Sequence, residues 1–199
     1  RIKRELQKLE KVRAVQRKQR LKSNLPNIAL IGYTNAGKSS ILNALTHSAQ
    51  LAQNQLFATL DTTTRELYID DEKCAIISDT VGFIQQLPPT LVEAFKSTLS
   101  ELHHADLLLH VIDISHPEWR KHVNVVHNIL DDLDIDQPVL YVFNKIDRLK
   151  HPRLVENTLE TYEPHVLVSA HEDGGVEPIR TFLKNWLNTA ETTNESDTP

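Results

Sequence analysis

The chain has 199 residues, 40% of them hydrophobic and 25% charged, and carries a formal net charge of −5. That is a soluble globular composition with enough length for one sizeable core, and it excludes a membrane span, since no apolar run approaches the ~18 residues one requires. Cys74 is the only cysteine and nothing at the start reads as a signal peptide, so a reducing, cytoplasmic compartment and a monomer are expected.

The charge is unevenly placed. Residues 1–22 hold ten Lys/Arg against two Glu, while the remainder is acidic. This stretch lacks Gly and Pro, and Ile2, Leu6 and Leu9 recur at helical spacing. Two compatible readings stand: a basic arm that touches RNA phosphates, or one half of a helical hairpin with a solvated charged face. Pro26 disfavours helix at the residue before it, so residues 23–26 read as a linker. The chain has no Met and opens on Arg1; it is expected to be part of a longer protein.

Asn27 to Ile31 is long enough for one buried strand, and Ile41, Leu42 and Leu45 follow at helical spacing. Between them stands Gly32-Tyr33-Thr34-Asn35-Ala36-Gly37-Lys38-Ser39, which fits the phosphate-loop pattern G-x-x-x-x-G-K-S/T. Its glycines let successive N–H groups turn toward an anion, and the helix start adds partial positive charge. Lys38 can reach the β- and γ-phosphates, and the Ser39 hydroxyl can ligate Mg²⁺. The motif alone says "nucleoside triphosphate" and not which one.

Residues 49–65 form a long polar, threonine-rich stretch of the kind that is usually functional. Glu66 to Asp70 alternates as a half-exposed strand, and Cys74 to Ser78 reads as a buried one. It ends on Asp79-Thr80-Val81-Gly82, a weak signal on its own, in which Asp79 could hold Mg²⁺ through a water and Gly82 could approach a γ-phosphate. Val92, Phe95, Leu99 and Leu102 mark an amphipathic helix that ends near His103-His104. Leu107 to Ile112 is a strand ending at Asp113, with His110 expected to be a satisfied core histidine. A helix from about Glu118 to Leu133, a strand Val139 to Phe143, a short helix after Pro152, a strand Val166 to Val168 and a last helix Pro178 to Leu187 complete the order. Trp119 and Trp186 are expected to anchor packing. Residues 189–199 are polar, and disorder is expected there.

Asn144-Lys145-Ile146-Asp147 opens directly off a strand. A carboxylate that accepts two hydrogen bonds matches the N1–H and N2–H₂ edge of guanine, whereas adenine offers no such pair. Asn144 would brace the loop and the base, the Lys145 stem would pack over the ribose plane, and Ser169-Ala170 would offer backbone N–H to guanine O6. Strands alternating with helices argue an α/β fold with a mainly parallel sheet covered on both faces, its motifs at the carboxyl ends of strands. This is the P-loop GTPase fold of the small-GTPase type.

GYTNAGKSS, LFATLD with TTR after it, DTVGFIQQLP followed by LVEAF, LLLHVID and NKID resemble the HflX family of ribosome-associated GTPases. The resemblance covers roughly residues 25 to 187 together with the basic helix. It implies a basic helical segment over 1–24, a G domain over 25–188 and a tail over 189–199. It also implies an enzyme, a GTP hydrolase, that binds GTP and GDP and acts on the RNA of the large ribosomal subunit.

The nucleotide contacts it implies are Gly32–Ser39, then Phe57, Ala58, Thr59, Leu60 and Asp61, then Asp79, Thr80, Val81 and Gly82, then Asn144–Asp147, and Ser169, Ala170 and His171. Ser39 and Thr59 would ligate Mg²⁺. Thr59 rests on the resemblance alone, because spacing leaves Thr62, Thr63 and Thr64 equally open. The family usually has a proline after the Asp where this chain has Asp61-Thr62. Lys38, Asn35, Thr59 and Gly82 are the candidate catalytic residues.

Phe83 occupies the position after D-x-x-G where Ras-type enzymes place a water-orienting glutamine; turnover should therefore be slow. Arg65 is a candidate arginine stand-in. Asn35 matches the asparagine that helps hold K⁺ in potassium-stimulated relatives, or it serves only to tolerate an unusual turn. Two other readings stand beside the switch GTPase: a GTP-gated RNA-binding module in which hydrolysis is secondary, and a P-loop ATPase or kinase, which NKID disfavours.

Overall fold

The computed structural model describes residues 25–46, 63–79, 102–150 and 158–195. In chain order it contains β1 (Asn27–Ile31), α1 (Lys38–Leu45), β2 (Thr63–Ile69), β3 (Glu72–Asp79), β4 (Leu107–Asp113), α2 (Trp119–Asp132), β5 (Val139–Asn144), β6 (His165–Leu167) and α3 (Glu177–Glu195). The strands form one sheet in the order β2-β3-β1-β4-β5-β6. Only the β2–β3 pair is antiparallel. The protein is α/β, as the alternating elements predict.

Alternation within the strands sends side chains to two cores. Ile28, Leu30, Leu109, Val111, Leu140 and Val142 face one way and meet Ile41, Leu42 and Leu45 of α1 and Ile179 and Leu183 of α3. Ala29, Ile31 and Leu108 face the other way and pack on Val126 and Leu130 of α2. A third cluster joins Ile112 and Phe143 to Trp119 and Val123, with the Trp119 and Phe143 rings edge-on at 5.5 Å. Trp186 packs at the margin of the first cluster. In α2 the buried positions 119, 123, 126 and 130 fall on one side of the helix, which gives it an amphipathic reason to form.

The chain leaves β1 for β3 on one side and later returns to β4 on the other. This reversal of strand order opens a crevice beyond the carboxyl end of β1, where open α/β sheets bind ligands. Gly32 follows β1, while Asp79, Asp113 and Asn144 are the last residues of β3, β4 and β5.

Several expectations are revised. α3 runs through Glu195, beyond the Leu187 end predicted from its apolar face and into the tail for which disorder is expected. After Pro178 the chain meets no Gly or Pro before Pro199, so nothing forces the helix to stop where its apolar stripe does. His103 and His104 sit in a short 3₁₀ turn, Leu102–His104, with Leu102 buried. The rest of the helix predicted around Val92 to Leu99, the helix after Pro152 and the basic segment over 1–24 lie outside the described residues. Among the described residues, no helix is long and apolar enough to cross a membrane.

Candidate nucleotide-binding site

The phosphate loop is built on two glycines that nothing else could replace. Gly32 has φ +144° and lies so close to β4 that a Cβ would sit 2.2 Å from the Val111 carbonyl oxygen; at Gly37, φ +102°, it would sit 2.3 Å from Asn144 Nδ2. Asn35, between them, is exposed and left-handed at φ +62°, a conformation asparagine tolerates better than most residues. Gly37 precedes the first turn of α1, so the loop ends on a helix N-terminus.

Lys38 is 7% exposed and curls back over the loop, its Nζ donating to Gly32 O at 3.2 Å and Tyr33 O at 3.4 Å. Burial pushes its pKa down to about 8, with the Asp79 carboxylate partly offsetting the shift. Ser39 Oγ donates to Asp79 Oδ2 at 2.5 Å, which joins α1 to the end of β3. A hydroxyl and a buried carboxylate meeting at the N-terminus of α1 are hard oxygen donors of the kind Mg²⁺ takes; the residues fit that ion. Thr59, with Phe57, Ala58, Leu60, Asp61, Thr80, Val81 and Gly82, lies outside the described residues.

The base-recognition loops are tied directly to the phosphate loop. Asn144, 1% exposed, donates from Nδ2 to Ala36 O at 2.9 Å and accepts from Ala170 N–H at 3.1 Å. One side chain therefore holds the P-loop to the loop after β6. Lys145 adopts φ +67° and sends Nζ to Asn35 O at 2.7 Å. Asp147 is exposed, and its Oδ1 accepts from Ser169 Oγ at 2.7 Å. Ser169 N–H in turn donates to Gly175 O at 3.1 Å, and a Cβ on Gly175 would sit 1.9 Å from Ser169 O. Ile146 is half-buried beside them and His171 is exposed.

Sequence reasoning gave Asp113 no role, yet its Oδ2 accepts from Lys145 Nζ at 2.6 Å, while Oδ1 accepts from Ser115 N–H and Oγ. Burial pushes the Asp113 pKa up, but the Lys145 and Ser115 hydrogen bonds outweigh it and hold the group below the ordinary carboxylate value. The available signal was its position: it ends a parallel strand, as Asp79 and Asn144 do. His122 is a second addition: its ring, on α2, stacks on Tyr33 of the phosphate loop at 3.8 Å and 4°. The two rings help line a cavity of about 300 Å³ beside the loop.

Two residues behave otherwise than expected. Arg65 is no stand-in for an arginine finger here: its Nη1 donates to Asn43 Oδ1 at 2.9 Å and Thr46 Oγ1 at 3.1 Å, around the far end of α1 from the phosphate loop. His110 is a core residue, 1% exposed, but its Nδ1 has no hydrogen-bond partner among the described residues. Burial, and after it the neighbouring His127, pushes its pKa down to about 3.

Residues 27–145 match the model of the 50S ribosome-binding GTPase family. GTPase HflX of Magnetococcus marinus is 45% identical over 190 residues, which are 95% of this chain and 44% of that protein. The Escherichia coli GTPase HflX is 41% identical over 185 residues, 92% of this chain and 43% of that protein. The chain thus spans less than half the length of these relatives. Among solved structures, a GTP-binding protein from Sulfolobus solfataricus in complex with GDP superposes with a TM-score of 0.66 at 28% identity, over 91% of this chain and 58% of that one. NFeoB from S. thermophilus bound to GDP·AlF₄⁻ and K⁺ gives 0.60 at 26% identity, over 77% of this chain and 58% of that one. The strand-end motifs, the loop that Asn144 clasps and these relatives converge on one conclusion: the chain belongs to the 50S ribosome-binding GTPase family, in its HflX group.

Proposed function

We propose that residues 25–188 form a G domain that binds GTP with Mg²⁺, hydrolyses it slowly, and through the nucleotide state acts on the large ribosomal subunit. The observation that carries this reading is Asn144, which links Ala36 of the phosphate loop to Ala170 of the base loop. Binding of phosphates at one loop and guanine at the other would thus meet one preformed frame, with the least ordering left to do on binding.

In this reading the N–H groups of Gly32 to Ser39 and the Lys38 ammonium hold the β- and γ-phosphates. Ser39 and Thr59, with Asp79 through a water, would hold Mg²⁺, which would supply positive charge to offset negative charge developing on the phosphates. Asp147 reads the guanine edge, the Lys145 stem covers the ribose, and the N–H groups of Ser169 to His171 approach O6. Phe57 to Asp61 and Thr80 to Gly82 supply the segments that sense the γ-phosphate. Gly82 is left without a glutamine after it, which is the reason for slow turnover.

Asn35 is the proposed K⁺ ligand. Its exposed place on the loop and the K⁺ bound in the NFeoB structure support that role. The basic segment over 1–24 is proposed to meet ribosomal RNA phosphates. The alternative, a GTP-gated RNA-binding module in which hydrolysis is secondary, has the same site and differs in turnover.

The deciding experiment is GTP turnover by the protein alone and with purified large subunits, each in K⁺ and in Na⁺, with ATP as competitor. Stimulation by the subunit with guanine specificity is expected. Tight GTP-dependent subunit binding with no turnover would favour the alternative, and equal rates in both salts would remove the K⁺ role.

A further inference from the structure

Arg180 of α3 is surrounded by parts of the chain that sequence separates widely. Its Nη2 donates to Leu45 O at 2.6 Å and Ala44 O at 3.4 Å, at the end of α1, and its Nη1 donates to Tyr68 O at 3.1 Å, in β2. Nε lies 3.5 Å from Glu177 Oε1 on its own helix, and the side chain is only 14% exposed. One turn further on, exposed Lys184 pairs with Asp70 in the β2–β3 turn at 2.5 Å.

The last carbonyls of any helix have no partner within it, and its carboxyl end carries partial negative charge. α1 is eight residues long and has no basic residue in its last turn. Arg180 meets both needs from another helix, with a planar fork that serves α1 and β2 together. The opposite end of α1 carries Lys38 and Ser39, and the β2–β3 hairpin carries Asp79, on which Ser39 closes. One guanidinium thus fixes the far end of the helix, together with the hairpin that supplies the other half of the cation site.

We propose that Arg180 is a positioning residue for the phosphate and Mg²⁺ site: by tying the end of α1 to the β2–β3 hairpin, it holds Ser39 in register with Asp79 and sets how tightly the phosphates are bound. This rests on reading the P-loop as a nucleotide site. Arg65 also ties β2 to α1, and Lys184 ties α3 to the hairpin turn. Arg180 adds the link that joins α3, the end of α1 and β2 through one side chain.

The test is GDP and GTP affinity by calorimetric titration, with Mg²⁺ and with EDTA, for the parent, Arg180→Ala, Arg180→Lys and Lys184→Ala, alongside each melting temperature. Arg180→Ala is expected to weaken both nucleotides by about tenfold in Mg²⁺, the scale of a partly buried helix-end charge, with a smaller loss in EDTA and unchanged preference for guanine over xanthine. Arg180→Lys keeps the charge without the fork and should fall between. If Arg180→Ala does not fold, the Lys variant decides by the same comparison. Parent-like affinity despite a lower melting temperature would overturn the proposal and leave Arg180 a purely structural residue. An equal loss with and without Mg²⁺, or the same loss in Lys184→Ala, would overturn it too. Failure of the parent itself to bind GDP would instead defeat the nucleotide reading.

Discussion

Lys145 Nζ stands 2.6 Å from Asp113 Oδ2 and 2.7 Å from the carbonyl oxygen of Asn35, so the last residue of β4 steadies the lysine that backs the phosphate loop. The Lys145 side chain is 6% exposed and that of Asp113 15%. Removing the carboxyl leaves an ammonium largely out of water with the Asn35 carbonyl as its remaining described partner. Asp113→Ala should cost about 3 kcal/mol, within the range for breaking a buried pair by removing one partner. Asp113→Asn, which keeps an acceptor, should cost less. Urea unfolding of the three proteins, with GDP titration alongside, checks both. A parent-like midpoint for Asp113→Ala would show that the pair adds nothing to stability.

Asp147 presents its carboxylate at the surface with only Oδ1 engaged by Ser169 in the described contacts. Asp147→Asn replaces an acceptor pair by one acceptor and one donor. GTP affinity should drop roughly 10- to 100-fold, the value of hydrogen bonds to a charged group, and xanthosine triphosphate affinity should rise. Competition titrations with the two nucleotides read the exchange directly, and undiminished GTP binding by the variant would contradict the recognition argument.

His110 makes an acid-stability prediction. Its folded pKa is depressed to about 3 from an ordinary 6.5. Between those values the unfolded chain holds a proton that the folded one refuses, so stability falls as pH drops below about 6.5. One such proton costs up to about 1.4 kcal/mol per pH unit, roughly 2 kcal/mol by pH 5. His110→Leu should flatten the unfolding free energy between pH 6.5 and 5. An unchanged slope in the variant would assign acid lability to other groups.

The apolar strands and the strand-end motifs were legible because each is written in contiguous residues: Asn27 to Ile31 before Gly32, Val139 to Phe143 before Asn144. What joins them was not. The partner of Asp113 lies 32 residues away, just beyond the neighbouring strand, and the β4–β5 register, Asp113 opposite Asn144, brings the pair together. Arg180 reaches acceptors 112 and 135 residues distant, and these distant acceptors are backbone carbonyls, which side-chain identity cannot reveal. His110 was recognisable as core, but that its Nδ1 has no partner among the described residues depends on which residues of α2 and β5 it faces. The end of α3 escaped because the sequence from Asn188 to Glu195 carries no apolar period to read.

Lys38 links protons to nucleotide binding. Its amine is held down to about 8 by burial, against an ordinary 10.5, with the Asp79 carboxylate raising it in part. Phosphates bound in the loop would place negative charge beside the ammonium and raise that value. Below pH 8 the lysine is charged in both states, and this group adds no pH dependence. Above pH 8 the unliganded protein has lost the proton, so binding must take one up, and affinity should fall by up to about tenfold per pH unit. The sign for stability is the reverse. The unfolded chain keeps the proton up to its ordinary value, so Lys38 makes the unliganded protein more stable as pH rises from about 8 toward 10.5. GDP titrations from pH 6.5 to 9.5, repeated in buffers of different ionisation enthalpy, should show proton uptake that appears only above about 8 and vanishes in Lys38→Met. Uptake already complete at pH 7, or identical in the variant, would mean that another group carries the linkage.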